Sequence, residues 1–190
     1  FVDLTTNGVT ITGGTTLDVT DLNNAISRTN TVATGTVDLV FSADDNTTTI
    51  NGGTVTEFAT TLLTHKTNNR VSFTGVNLSI DGTTVTTAQA NDLTAATTGT
   101  VTTTVSDGDL DTLTGLNAKT NAALSVTVTD TAGTAAELNT VNAGTTSAVN
   151  ANAVVTIESS TASDLATLMA DAQDDTKFTN TSFVDLTTNG

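Results

Sequence analysis

Three aspartates stand at alternate positions in a DGDLD segment. Ca²⁺ prefers clustered carboxylate oxygens, so Asp107, Asp109 and Asp111 are the candidate metal ligands of this sequence. An EF-hand loop requires glycine at its sixth position and glutamate at its twelfth, whereas Thr112 and Ala118 stand there. The same segment fits a turn followed by a helix cap. We therefore expect no cofactor, with calcium at the three aspartates as the alternative.

The sequence has one histidine, His65, beside Lys66 in an asparagine-rich stretch. A hydrolytic triad would need an acid to orient this imidazole and a serine or threonine nucleophile beside it. No G-x-S-x-G nucleophile elbow occurs, and the sequence has no tryptophan or tyrosine on which a sugar could stack. We predict that the chain is not an enzyme, that it has no catalytic residues, and that His65 lies on an exposed loop.

Two further acidic clusters are Asp44 with Asp45, and Asp171 with Asp174 and Asp175. Such clusters fit solvated turns that keep an extended assembly soluble and limit sideways aggregation. The alternative is that they bind surface calcium between packed chains. If the clusters form solvated turns, the side chains of Asp45 and Asp175 should be exposed.

The composition excludes several classes of protein. The 190 residues carry a net charge of −15 and include no cysteine and no proline, while threonine occurs 50 times. Nucleic-acid binding and docking on anionic lipid both need lysine and arginine, so we expect neither. Without cysteine there is no disulfide framework. No apolar run approaches the roughly 20 residues that span a bilayer, which argues against membrane insertion.

Short segments with alternating β-branched residues predict half-buried strands, with valine and isoleucine facing inward and threonine outward. Clusters containing glycine, such as Asp81-Gly82 and Asp107-Gly108, follow several of them and predict turns. The predicted strands are 9–11, 37–41, 76–80, 101–105, 126–129 and 154–157.

Six segments predict helix starts, because a hydroxyl or acidic residue precedes an acid or amide by three positions and an apolar residue follows. These apolar residues are 20 to 39 positions apart. Strand, turn and short capped helix would then repeat, and such a unit buries its apolar face only against its neighbours. We predict an all-β-dominated repeat, a β-solenoid with about six coils and short capped helices. The six pairs are Asp18 with Asp21, Thr54 with Glu57, Thr86 with Gln89, Ser106 with Asp109, Thr134 with Glu137, and Thr161 with Asp164.

The octapeptide FVDLTTNG occurs twice, at residues 1–8 and 183–190. The two copies define a period of 182 residues, which is typical of tandem arrays, although a duplicated segment introduced by cloning would give the same pattern. We predict that residues 1–182 form one repeat unit and that residues 183–190 begin the next identical unit.

The strings VTTTVSDGDLDTLTGLNAK and LSVTVTDTAGTAAELNTVNAGTTSAV carry a resemblance to a known group. They resemble the threonine- and aspartate-rich repeats of giant bacterial cell-surface proteins of the cyanobacterial type. The resemblance covers residues 76–155, and residues 31–73 fit it poorly. It implies secretion to the cell surface and an adhesive, motility-related or filamentous role.

These observations together predict a structural repeat of an extracellular filament or cell-surface fibre. The first alternative is a calcium-binding adhesin or surface-layer module. The second is an ice-binding solenoid, because Thr-x-Thr triplets recur at Thr10, Thr102 and Thr127, although coils of unequal length would misalign their ranks. The expected partners are tandem or stacked identical units, and glycans or other surface polymers.

The pattern also predicts the core. We expect apolar strand residues to face inward and one leucine from each of six helices to face them. The strand set is Val9, Ile11, Leu39, Phe41, Phe73, Leu78, Ile80, Val101, Val105, Val126, Val128, Val155 and Ile157. The helix set is Leu22, Leu62, Leu93, Leu113, Leu138 and Leu165.

Overall fold

The computed structural model describes residues 9–11, 16–32, 39–41, 47–68, 70–117 and 120–179. Strands and helices alternate along most of this chain. The strands are β1 (Val9–Ile11), β2 (Thr16–Asp18), β3 (Leu39–Phe41), β4 (Thr49–Asn51), β5 (Val71–Ser72), β6 (Asn77–Val85), β7 (Val101–Val105), β8 (Ala122–Ser125), β9 (Ala132–Gly133), β10 (Val149–Asn150), β11 (Thr156–Ile157) and β12 (Phe178–Thr179). The helices are α1 (Val19–Val32), α2 (Leu63–Thr67), α3 (Thr87–Ala96), α4 (Leu110–Leu113), α5 (Ala135–Ala143) and α6 (Ala162–Asp171), and a π-helical turn (Glu57–Leu62) leads into α2.

The central sheet has five strands in the order β2-β4-β6-β7-β8 and is mostly parallel. Three smaller sheets have the orders β1-β3-β5, β11-β9 and β10-β12. The pairs β1–β3, β2–β4, β4–β6, β9–β11 and β10–β12 are all parallel. Consecutive paired strands are therefore joined by crossover connections, as parallel pairing requires.

The prediction of an all-β solenoid filament is wrong. The protein is an α/β fold with a mostly parallel sheet and, in the described residues, six helices. The segments after the predicted caps form crossover helices of up to 14 residues rather than brief turns. Alanine and leucine, which favour helix, occur in each of these segments and no proline interrupts them, so the segments continue as helices beyond the first turn.

Five of the six predicted helix caps are confirmed. In the clearest, the Thr134 hydroxyl accepts from the Glu137 backbone N–H while the Glu137 carboxylate accepts from the Thr134 backbone N–H. Thr54 with Glu57, and Thr86 with Gln89, make the same reciprocal pair of bonds. The Asp18 carboxylate accepts from the N–H groups of Thr20 and Asp21, and Thr161 accepts from the Asp164 N–H.

The sixth predicted cap, at Ser106, is wrong. The Ser106 N–H and hydroxyl both donate to the Val85 carbonyl, which continues strand pairing past the end of β7. Asp109 caps α4 instead, with its Oδ1 2.9 Å from the Thr112 nitrogen. The cap residues of the six helical segments are Asp18, Thr54, Thr86, Asp109, Thr134 and Thr161, and positions below are counted from them.

The described chain divides into two compact units that interleave in sequence. Unit 1 comprises Phe1–Thr84 and Asp92–Thr103. Its core is formed by residues from several strands and from the helical run that begins at Thr54. Fully buried members include Ile50, Phe58, Leu62, Phe73, Leu78, Leu93 and Val101.

Unit 2 comprises Val85–Asn91 and Thr104–Gly190. Its core lies between short strands and the helices α4, α5 and α6. Residues exposed by no more than 1% include Leu113, Leu124, Val126, Val128, Leu138, Val141, Val149, Leu168 and Phe178.

The predicted core is confirmed at most of the positions whose side chains the structure describes. Leu165 is 38% exposed and Val155 is 64% exposed, so both predictions are wrong, and Ile157 is only half-buried. The Val155 N–H donates to the Thr131 carbonyl, a register that turns Val154 inward instead. Val9, Ile11, Leu39 and Phe41 lie outside the residues whose side chains are described. The confirmed positions are Phe73, Leu78, Ile80, Val101, Val105, Val126, Val128, Leu22, Leu62, Leu93, Leu113 and Leu138.

Both copies of the octapeptide, residues 1–8 and 183–190, lie outside the described residues. The division into a 182-residue unit and the start of the next therefore stays a prediction. Among the helices that the structure describes, none is both long and apolar enough to cross a membrane.

Candidate functional site

The three candidate calcium ligands do different work in the structure. The Asp107 Oδ2 accepts from the Thr87 backbone nitrogen at 2.6 Å, and Asp109 caps α4. Asp111 is exposed in the first turn of α4. Across the described ranges, no group of three or more histidine, cysteine or acidic side chains is placed to hold a metal ion.

A different set of acids lines a cavity of about 240 Å³ in unit 2. We call it the acidic groove; its walls are Asp109, Leu110, Asp111, Asp130, Ala132, Gly133, Glu137 and Glu158. Gly133 has a steric reason to be glycine, because a β-carbon there would collide with the Leu110 side chain. The groove brings five carboxylates to one place, of which the sequence marked only Asp109 and Asp111 as candidate metal ligands and Glu137 as a cap partner.

Three of the five groove carboxylates accept hydrogen bonds from backbone N–H groups. Asp109 accepts from Thr112, and the Glu137 Oε2 lies 2.8 Å from both the nitrogen and the hydroxyl of Thr134. The Asp130 Oδ2 lies 2.6 Å from the Leu110 nitrogen. These oxygens hold helix starts, where unpaired N–H groups and the helix dipole favour negative charge.

The same bonds affect ionisation. The hydrogen bonds from the Thr112 side chain and backbone hold the pKa of Asp109 below its ordinary value. The Thr20 hydroxyl, followed by the backbone and side chain of Thr54, likewise lowers the pKa of Glu57. Such caps are lost only in acid, as the pH falls through the lowered values and the carboxylates protonate.

We use "step" for a strand segment together with the helix that follows it. In unit 2, one kind of hydrogen bond joins each step to the next. The first N–H after a cap residue donates to a side chain that lies 20 to 25 residues downstream, just ahead of the next helix. Thr87 donates to Asp107 and Leu110 to Asp130, both at 2.6 Å, and Ala135 donates to the Ser160 hydroxyl at 2.9 Å. Each helix start is therefore completed by the step that follows it.

A second kind of bond uses asparagine at the fifth position after the cap. The side-chain amide of Asn23 donates to the Glu57 carbonyl within unit 1. In unit 2, Asn139 donates to the Asp164 carbonyl at 2.9 Å. Asn91 makes two bonds, donating to the Gly115 carbonyl at 2.8 Å and accepting from the Asn117 N–H at 2.9 Å.

The asparagine bonds start from every second helical segment. Asparagine occupies the fifth position in α1, α3 and α5, and its partner lies in the next helical segment for α1 and α5 and just beyond α4 for α3. Alanine occupies this position at Ala59 and Ala166. Ala59 lines an open groove of about 510 Å³ in unit 1, together with Leu63, Lys66 and Asp92. The groove therefore lies beside one helical segment that lacks this asparagine.

The prediction that His65 is exposed is wrong. It lies in α2 with 6% of its surface exposed, and neither ring nitrogen has a hydrogen-bond partner in the described structure. Phe58, Leu62 and His65 follow helical spacing on one buried face, because the capped segment continues as helix as far as Thr67. Burial, and secondarily the charge of Arg70, lower the pKa of His65.

This lowered pKa predicts a pH effect on stability. The unfolded chain binds a proton on His65 more readily than the folded chain does, so stability falls as the pH is lowered through the ordinary histidine range. Urea unfolding at pH 7.5 and pH 5.5 should show this loss in the wild type. His65→Leu, which keeps an apolar side chain in place, should remove most of it. An unchanged pH dependence in the variant would contradict the assignment.

The acids of the remaining cluster make separate hydrogen bonds. The Asp171 Oδ2 accepts from the Asn142 amide at 3.0 Å, and Asp174 accepts from the N–H and hydroxyl of Thr176. Hydrogen bonds from Thr176 lower the pKa of Asp174. Asp175 is exposed, as predicted, while Asp44 and Asp45 lie outside the described residues.

Sequence reasoning missed Asp130, Glu158, Ser160 and the asparagines of the linking bonds. Asp130, Ser160 and these asparagines bond to partners 20 to 34 residues away, and Glu158 reaches the acidic groove from a distant part of the sequence, so no local motif marks them. One signal was present, because asparagine recurs at the same distance from the cap at Asn23, Asn91 and Asn139.

Comparisons with family models, with curated proteins and with solved structures give no match. The resemblance to cell-surface repeats therefore stays a prediction.

Proposed function

We propose that this chain is a structural module of an extracellular cell-surface protein and that it has no catalytic activity. Its partners are identical units, joined in tandem or stacked, and surface glycans or other polymers. It binds no nucleic acid, because five basic residues against 20 acidic ones cannot neutralise a phosphate backbone.

One observation supports this role above the others. The polar side chains best suited to chemistry bond instead to the backbone of the neighbouring strand–helix step. Asp107, Asp130 and Ser160 complete helix starts, and Asn91 and Asn139 tie helical segments to their successors. A chain that uses these groups to hold its own strands and helices together is suited to a structural role.

The second candidate is a calcium-binding adhesin or surface-layer module, and the acidic groove is where it would be tested, although no three of the groove acids are placed together to hold a metal ion. Asp111 and Glu158 are exposed on the groove, and within the described part of the chain their carboxylates cap no helix. Oxygen-rich clusters of this kind are the surroundings that Ca²⁺ prefers. The two candidates differ in whether the fold gains stability from the ion.

Thermal unfolding with EDTA and with added calcium separates the candidates. For the structural module we expect the same melting temperature in both. A calcium module at about 100 times its Kd would gain about 2.7 kcal/mol, which raises the melting temperature by about 5–10 °C for a domain of this size. Asp111→Asn with Glu158→Gln is the matched control, because it leaves the caps intact. A calcium shift that this control abolishes would overturn the structural proposal in favour of the second candidate.

A further inference from the structure

A short helix of unit 1 buries the one histidine of the chain. Helix α2 has five residues and follows a π-helical turn instead of continuing a longer α-helix. Helices of this length are unstable on their own in water, so the conformation of α2 depends on its packing. His65 is the buried residue of α2, and its other four residues are half-buried or exposed. The packing of α2 on the core therefore depends mainly on this side chain.

The surroundings of the imidazole suit its neutral form better than its charged form. His65 lies on the same helical face as Phe58 and Leu62, which are both fully buried. Neither ring nitrogen has a hydrogen-bond partner in the described structure. Protonation would add a positive charge and a second unpaired N–H donor to this apolar site, and a buried charge without a partner is costly.

The basic residues beside α2 add to this cost. Lys66 and Arg70 are two of the five basic residues of the chain, and both lie within five positions of His65. The Arg70 nitrogen donates to the His65 carbonyl at 2.9 Å, directly before β5, on which α2 packs. Burial first, and then the charge of Arg70, lower the pKa of His65. The Lys66 ammonium lies 5.4 Å from the centre of the Phe73 ring.

The acids near α2 do not offset a charge on the ring. Glu57 belongs to the π-helical turn that packs against α2, but its Oε2 lies 2.8 Å from the Thr54 nitrogen and 3.0 Å from the Thr54 hydroxyl. Asp92 of α3 lines the open groove of unit 1 together with Lys66. Neither acid is among the groups that shift the pKa of His65.

The side of α2 that faces away from His65 has room for the helix to move. Leu63 and Thr67 are two positions from His65, which places them about 160° around the helix axis. Both line the open groove of about 510 Å³. Because this side of α2 borders open space, α2 can leave the core without first displacing a packed neighbour.

We propose that His65 makes α2 a pH-sensitive element of unit 1. In mild acid the ring binds a proton, α2 leaves the core, and the charged imidazole reaches water, while the rest of unit 1 keeps its fold. At neutral pH the ring loses the proton and α2 packs again. This inference is independent of the proposed structural role, because it concerns one helix of the fold.

The size of the response follows from histidine titration. With α2 open, the ring titrates near its ordinary value of about 6.5, whereas the closed state keeps the ring neutral at lower pH. The closed state therefore binds fewer protons and loses stability as the pH falls through that value. Between pH 7.5 and pH 5.5 the equilibrium constant for opening should rise about tenfold.

Hydrogen exchange of backbone amides at pH 7.5 and pH 5.5, corrected for the intrinsic pH dependence of exchange, tests the proposal. We expect residues 63–67 to lose about tenfold in protection at pH 5.5, while β6 and α5 change less than twofold. His65→Leu should remove the loss at residues 63–67. An equal loss in all three elements would show global unfolding and would overturn the inference.

Thr64→His combined with His65→Leu is the matched control. Thr64 is exposed, so the double variant keeps one histidine in α2 but leaves it in water. We expect no pH-dependent opening, and a restored response would contradict the role of burial. The wild type gives a test without mutation, because NMR titration of the one histidine is unambiguous. A ring that titrates at the ordinary value in the folded chain would also overturn the proposal.

Discussion

Replacement of Leu138 by alanine should destabilise the protein by about 2–5 kcal/mol. Leu138 is fully buried at the fourth position of α5 in the core of unit 2. Truncation there removes apolar surface from the core and leaves a cavity that the surrounding side chains fill only in part. The free energy of unfolding in urea measures the loss, and an unchanged slope would show that the unfolded state is unaffected.

Leu165→Ala is the matched control, because it changes the same residue type at the same position of the next helix. Leu165 is 38% exposed, so we expect its loss to cost less than about 1 kcal/mol in the dilute chain. Equal losses for the two variants would contradict the burial difference between α5 and α6.

Replacement of Asn91 by alanine should cost about 1–2 kcal/mol. The side chain makes two bonds to the backbone, at Gly115 and Asn117, and alanine removes both. Each such bond contributes about 0.5–1.5 kcal/mol net, and the half-buried position allows water to replace part of it. Urea unfolding measures the change.

Asn139→Ala provides the comparison. The Asn139 amide donates to the Asp164 carbonyl, and its Oδ1 is buried without a partner in the described structure. Alanine therefore removes one bond but also relieves an unsatisfied oxygen, so we expect a loss below about 1 kcal/mol. A larger loss at Asn139 than at Asn91 would contradict the view that the paired bonds of Asn91 join two steps.

The features that depend on nearby residues were predictable from the sequence. Thr54, Thr86, Thr134 and Thr161 cap helices where the motif predicts, because the cap and its partner lie three residues apart. The alternating pattern also located β7, whose residues alternate between buried and exposed. Both signals arise within a few residues of backbone.

The fold class required information that local patterns do not contain. The cap motif is the same whether the segment after it forms one turn or a full crossover helix. The length of that helix distinguishes a β-solenoid from an α/β fold. His65 shows the consequence, because it was predicted in a loop but lies in a longer helix with its side chain buried. Val155 shows the effect of register, since the adjacent Val154 has the same β-branched side chain and takes the inward position.

The candidate site was only partly predictable for a related reason. Asp109 and Asp111 were identified from their spacing, but Asp130 and Glu158 reach the acidic groove from other steps of the chain. Which side chains of different steps come together depends on strand register and helix length. Neither can be read from patterns that are only a few residues long.

Immunogold electron microscopy of intact cells of the source organism tests the proposed function most directly. Antibodies raised against this chain should label the outer surface of cells that have not been permeabilised. If tandem units build the parent protein, several gold particles should mark each molecule. Brief protease treatment of the intact cells should remove the label. Label that appears only inside sectioned or permeabilised cells would contradict the proposal that the chain is a structural module of the cell surface.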